Sequence, residues 1–125
     1  MMSAYRIVAL PGDGTGREVM TEALKVLDVF QKNGDVEFEI RVIPCGGQHY
    51  LETGEQWPEG SFEICRDESD AILLGAIGWP DARLPNGDVA GGEVILGLRS
   101  GLDLYANVRP VKLYQGVHHK VHGVY

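Results

Sequence analysis

The sequence predicts an α/β fold with a mainly parallel sheet flanked by helices. Three observations carry that expectation. Apolar strand-like runs alternate with helix-period runs from Tyr5 to about Leu113; a glycine-rich turn joins the first strand to the first helix; and one later run, Ala71 to Gly78, is apolar almost without interruption, as strands covered on both faces are.

Each element has its own signal. Tyr5 to Leu10 reads as a buried strand closed by Pro11 and by Gly12-Asp13-Gly14-Thr15-Gly16. Val19, Met20, Ala23, Leu24, Val26, Leu27 and Phe30 then recur at helical spacing, with Thr15 and Glu18 placed as a capping box and Asn33-Gly34 as a stop. From Val36 to Ile43, apolar Val36, Phe38, Ile40 and Val42 alternate with Glu37, Glu39 and Arg41, the pattern of a half-exposed strand. Gly46-Gly47 breaks the chain, Gln48 to Thr53 fits a short helix, and Pro58 opens another that turns Phe62, Ile64 and Cys65 inward. Ala71 to Gly78 is the expected central strand. Trp79 to Gly92, rich in Pro, Gly and Asp, is a loop longer than most connections, which points to function. Val94 to Leu104 is helix-like, and Tyr105 to Leu113 reads as a strand interrupted at Pro110. About four strands with this many apolar positions would leave an open sheet edge, so the chain is expected to be the N-terminal piece of a longer protein.

Composition narrows the function. Eighteen acids against eleven bases give a formal charge of -7, with 44 % apolar residues, which argues against nucleic acid or an anionic membrane surface as partner. The absence of a long apolar run or signal-peptide core makes the cytoplasm the expected compartment. Cys45 and Cys65 match no metal or redox spacing and are expected to be reduced and partly buried.

Against that acidic background, positive charge gathers late in the chain at Arg99, Arg109, Lys112 and Lys120. Arg99 and Arg109 stand ten residues apart, at a helix end and a strand end. Each guanidinium is a rigid, permanently charged fork matched to a carboxylate, so a pair suits a polycarboxylic acid. A lone arginine is more often a surface ion-pair partner; position near the turn Ile77-Gly78-Trp79-Pro80, beyond strand carboxyl ends, is what favours binding. The glycine turn invites a dinucleotide fingerprint, but its spacing is G-x-G-x-G rather than G-x-G-x-x-G, and the second strand ends in Val42-Ile43-Pro44 without the ribose-binding acid. Either a structural turn or another kind of phosphate- or ribose-facing loop fits it. His118 and His122 would share a face only of a helix, and Gly123 argues against one; they are read, with His119, as exposed or substrate-domain histidines.

Three blocks, Leu-Pro-Gly-Asp-Gly-Thr-Gly at 10–16, Leu-Leu-Gly-Ala-Ile-Gly at 73–78 and the run from Leu98-Arg99 through Leu102-Asp103-Leu104-Tyr105-Ala106-Asn107-Val108-Arg109-Pro110-Val111-Lys112, resemble the N-terminal part of the isocitrate and isopropylmalate dehydrogenase family. They occur in that family's order and cover the chain to about Gly116. The resemblance implies an α/β fold that is not Rossmann and a homodimeric enzyme that oxidises a malate-type 2-hydroxyacid with NAD or NADP, then decarboxylates it with Mg²⁺ or Mn²⁺. It places residues 1–112 in the first domain and 113–125 at the crossing into the second. Arg99 and Arg109 match two of three substrate-holding arginines. Ile77, Gly78, Trp79 and Pro80 begin the loop along the nicotinamide, and Thr15 occupies the variable place in the glycine loop.

The third arginine, the proton-moving tyrosine and lysine, and the metal-binding aspartates are implied beyond Tyr125. The clamp in these residues is therefore expected to hold substrate without converting it. Where isocitrate-type members carry serine and asparagine, this chain has Glu93 and Ile95. An acid would repel a third carboxylate, and Ile95 with Leu96 would suit an alkyl substituent, as in isopropylmalate-type members. Gly92 stands where those members carry an acid, so tartrate- and malate-oxidising relatives stay open, as does a non-catalytic regulatory or anion-binding module.

Overall fold

The computed structural model describes residues 4–34 and 36–118. Three strands and four helices follow in the order β1 (Ala4–Leu10), α1 (Thr15–Lys32), β2 (Glu37–Val42), α2 (Gly47–Thr53), α3 (Ser61–Asp67), β3 (Ala71–Leu74) and α4 (Gly92–Gly101). The sheet is parallel throughout, with order β2-β1-β3, so the expected α/β class holds and all three strands deliver their carboxyl ends to one rim.

β1 occupies the centre. Its residues Ile7 to Leu10 are all buried, and alternation sends Val8 and Leu10 into the core with Ile43, Cys45, Cys65 of α3, and Val94 and Leu98 of α4. Ile7 and Ala9 face the other side of the sheet. The run Ala71 to Gly78 is thus not the central strand: β3 is an edge, and only its first four residues are strand. The reason lies in the partner. β1 stops at Pro11, so after the Gly75 amide donates to the Leu10 carbonyl (2.8 Å) the apolar run has no further ladder to join.

Other boundaries shift for local reasons. Thr15 is the first residue of α1 rather than its cap; Gly14 holds the cap position, and no side chain caps the helix. The first turn is closed by the loop itself, through Gly16 N–H to Asp13 C=O (2.8 Å) and Arg17 N–H to Gly14 C=O (3.1 Å). On α1, Met20 is buried, whereas Val19, Val26 and Phe30 remain exposed. α4 ends three residues before the expected Leu104, where Asp103 turns into the left-handed region (φ 49°). Tyr105 to Leu113 is not a strand; every residue from Asp103 to His118 is exposed and none pairs with a described strand. A strand cannot persist without a ladder partner. His119, Lys120, His122 and Tyr125 lie outside the described residues.

Candidate functional site

The carboxyl rim of the sheet is closed by three loops, Pro11–Gly14 after β1, Ile43–Gly46 after β2 and Gly75–Pro80 after β3. In open α/β sheets this rim is where ligands sit. Its organising group is Asp13, a carboxylate only 3 % exposed. Oδ2 accepts hydrogen bonds from the Gly47 amide (2.9 Å) and the Gly78 amide (2.8 Å), and Oδ1 accepts from the Gln48 amide (2.8 Å). The Asp13 amide donates to the Ala76 carbonyl (2.8 Å). A buried carboxylate needs such donors, and here they come from the first turn of α2 and from the loop after β3. Gln48 adds a fourth tie, its Oε1 accepting from the Gly14 amide (2.8 Å).

Glycine makes this closure possible. A Cβ on Gly12 would lie 2.1 Å from the Ala76 carbonyl oxygen, and one on Gly46 would lie 2.6 Å from the Asp13 carboxylate. At Gly12 the glycine turn is therefore packed backbone against backbone. Ile77 is half-buried against the core, Trp79 is half-buried, and Gly78 and Pro80 are exposed on the rim. Thr15 is exposed at the start of α1. Nothing in the sequence patterns singled out Asp13; an acid inside a glycine turn, followed by bare amides at Gly46-Gly47, was the available signal.

The substrate-side candidates lie along α4. The helix starts beside the rim, since a Cβ on its cap residue Gly91 would meet Ile77 Cγ2 at 2.2 Å. Arg99 comes eight residues later, about 12 Å along the axis. Ile95 and Arg99, one turn apart, line the same cavity of about 460 Å³ with Ile72, Leu74, Leu98 and Leu102. Leu96 points elsewhere: it is 63 % exposed and absent from that lining. Arg109 is exposed on the segment after α4, has no hydrogen bond or ion pair among the described residues, and does not line the Arg99 cavity. The structure thus joins Ile95 to Arg99 but does not bring the two arginines together.

Glu93 is placed differently from its expected role. Its Oε2 accepts from Gln56 Nε2 (2.8 Å), and both residues line a different cavity of about 720 Å³ with Tyr50, Trp57 and Phe62. Gln56 Oε1 in turn accepts from the Gly91 amide at the start of α4. The carboxylate is held away from Ile95 and Arg99, so repulsion of a third substrate carboxylate by Glu93 finds no geometric basis here. The aliphatic wall at Ile95 is what remains of the specificity argument.

Both cysteines are free, as expected, and fully rather than partly buried. Burial pushes the Cys45 thiol up to about 11 and raises Cys65 as well. Among the described residues no three His, Cys, Asp or Glu side chains are grouped to hold a metal ion, and no helix is long and apolar enough to cross a membrane.

Comparison with known proteins places this geometry. Residues 6–123 match the family model described as isocitrate/isopropylmalate dehydrogenase. The chain is 42 % identical over 113 residues to a 3-isopropylmalate dehydrogenase of Clostridium acetobutylicum, covering 90 % of this chain and 31 % of that protein. It is 44 % identical over 117 residues to the Aquifex aeolicus 3-isopropylmalate dehydrogenase, covering 93 % and 32 %. The chain thus spans about a third of the length of the curated relatives it matches. The apo crystal structure of a β-decarboxylating dehydrogenase from Thermococcus kodakarensis superposes with a TM-score of 0.59 at 34 % identity, over 81 % of this chain and 27 % of that one. The shared parallel α/β architecture and a family match across nearly all its length show that this chain belongs to the isocitrate/isopropylmalate dehydrogenase family.

Proposed function

We propose that these residues form part of the substrate and nicotinamide site of an NAD(P)-dependent decarboxylating dehydrogenase whose substrate is a malate-type 2-hydroxyacid bearing an alkyl group, of the 3-isopropylmalate class. The observation that carries the substrate reading is the cavity shared by Arg99 and Ile95. The Arg99 guanidinium in its wall suits a carboxylate, and the aliphatic part of that wall suits a branched alkyl substituent; Arg66, Ser69 and Asp70 make the rest of the lining polar.

In this reading Arg99 orients and neutralises one carboxylate, Arg109 a second, and Ile95 contacts the alkyl group, while Leu96, exposed outside that cavity, has no part in it. The nicotinamide nucleotide, when bound, accepts hydride from the hydroxyl-bearing carbon. Gly78 has open space where a side chain would stand, and with Ile77, Trp79, Pro80 and Thr15 it offers the backbone and ring surface against which that cofactor packs. Mg²⁺ or Mn²⁺ belongs to the reaction class, but the described residues supply no ligand set for it; they bind and orient. The same reading makes the protein a cytoplasmic homodimer, with residues 1–112 in its first domain and 113–125 starting the crossing into the second.

The test is a panel of 3-isopropylmalate, isocitrate, tartrate and malate on the protein expressed from its entire reading frame, with Mn²⁺ and each cofactor, followed as absorbance of reduced nicotinamide. Turnover of 3-isopropylmalate above the others is expected, and activity with none overturns the assignment. Arg109→Lys should raise KM and lower kcat together, since losing a bidentate charged contact of about 1.5–3 kcal/mol corresponds to roughly 10- to 100-fold in kcat/KM. Unchanged kinetics in that variant removes Arg109 from the site.

A further inference from the structure

Asp13 grips the loop after β3 at two points. Its amide holds the Ala76 carbonyl and its carboxylate holds the Gly78 amide, both at 2.8 Å. Ile77 is fixed between them, and Trp79 follows immediately, its ring edge 3.3 Å from where a Gly14 Cβ would stand. The same carboxylate is anchored from the other side by the Gly47 and Gln48 amides of α2, and α2 has no cap side chain of its own beyond this one. Gly78 is therefore held by a carboxylate that is itself fixed by a helix. The geometry points to Asp13 as a positioning residue that acts through the Gly78 amide to set Ile77–Pro80 for the nicotinamide nucleotide. This rests on the proposed cofactor role of that loop.

The chemistry explains why a carboxylate is required. Three amides point at two oxygens, and all three are donors. An asparagine offers one acceptor oxygen and one NH₂, so in either orientation it places a donor against a donor. Asp13→Ala removes all three acceptors.

The experiment uses the protein from its entire reading frame and reads nucleotide affinity apart from turnover. Isothermal titration with NAD and with NADP gives Kd without any hydroxyacid, and initial rates give separate KM values for nucleotide and acid. Asp13→Asn and Asp13→Ala should raise nucleotide Kd and KM about 10-fold, roughly 1.4 kcal/mol, with the alanine the larger effect and the acid KM within about 2-fold. A purely structural role would lower active fraction and leave that ratio of KM values unmoved. Gly34→Ala, destabilised at φ +78° with nothing within 4 Å, controls for stability and should leave both KM values alone. Should the Asp13 variants fail to fold, Gly78→Ala strains the same loop at φ +140° with open space around its Cβ and should raise nucleotide Kd similarly. Nucleotide affinity unchanged in the folded variants, or absent in the wild type, overturns the assignment. Nucleotide binding that depends on Asp13 without turnover of any acid supports it and removes only the proposed reaction.

Discussion

Gly12→Ala isolates the close approach on which the rim is built. The added methyl would stand 2.1 Å from the Ala76 carbonyl oxygen and 2.9 Å from both Ala76 C and Ile77 Cγ1, at a residue with φ +74°. Ordinary carbon–oxygen contact is about 3.2 Å or more, so the loops after β1 and β3 would have to part by about 1 Å. That displacement stretches the 2.8 Å bond from the Asp13 amide to the same carbonyl beyond hydrogen-bond range. A Cβ in the left-handed region costs about 1–2 kcal/mol, and leaving a buried backbone pair unmade costs about 1–3 kcal/mol more, so the total is about 2–5 kcal/mol. Urea unfolding gives the comparison. With a slope of about 2 kcal/mol/M, the midpoint should fall by roughly 1–2.5 M. Gly54→Ala is the control: it has φ +83° but nothing within 4 Å, so it carries the conformational cost alone, about 0.5–1 M on the same slope. Equal midpoint shifts for the two variants would refute the steric reasoning and with it the packed reading of the glycine turn.

Two further outcomes follow from charge and burial. The Arg6 side chain and amide hold the Asp70 carboxyl down at about 2, against an ordinary 3.8; because the folded value is the lower one, the contribution is complete above about pH 4 and lost as pH falls towards 2. The difference in thermal midpoint between wild type and Asp70→Asn should therefore narrow as pH falls from about 4 to 2 and go on narrowing below it, and a difference at pH 2 as large as at pH 6 would exclude the pair as its source. Cys45, 2 % exposed and with its thiol near 11, and Cys65, 3 % exposed, should resist iodoacetamide at pH 8 until urea unfolds the protein; mass spectrometry showing labelling of the native protein would contradict the burial.

Much of the backbone order was legible because it rests on local rules. The 3.6-residue period predicted α1, the glycine and proline punctuation marked the turns, and the short helices at Gly47–Thr53 and Ser61–Asp67 followed from breaks on either side. What periodicity could not give was which strand is central, since an apolar run reads alike whether both neighbours or one are present. β3 stops at Leu74 because β1 stops at Pro11, a fact about pairing rather than about residues 75–78. Thr15 and Glu18 spelled a capping box, yet the loop amides found partners in the Asp13 and Gly14 carbonyls first. Glu93 suggested charge repulsion from its place in the sequence, and Gln56, thirty-seven residues away, turns it to another cavity.

By itself the sequence determined the parallel α/β class, the family, the free state of both cysteines and the residues to suspect at the site, because composition, period and motif order are properties of nearest neighbours along the chain. The tertiary structure alone decided that Asp13 ties α2 to the loop after β3, that Ile95 and Arg99 share a cavity while Leu96 and Arg109 stand apart from it, and that Gly12, Gly16 and Gly75 let backbones touch. The Asp13 contacts join residues 34 to 65 positions apart, set by which strand ends meet at one rim; a hydrogen bond depends on distance and direction in space, and the local pattern along the chain carries neither.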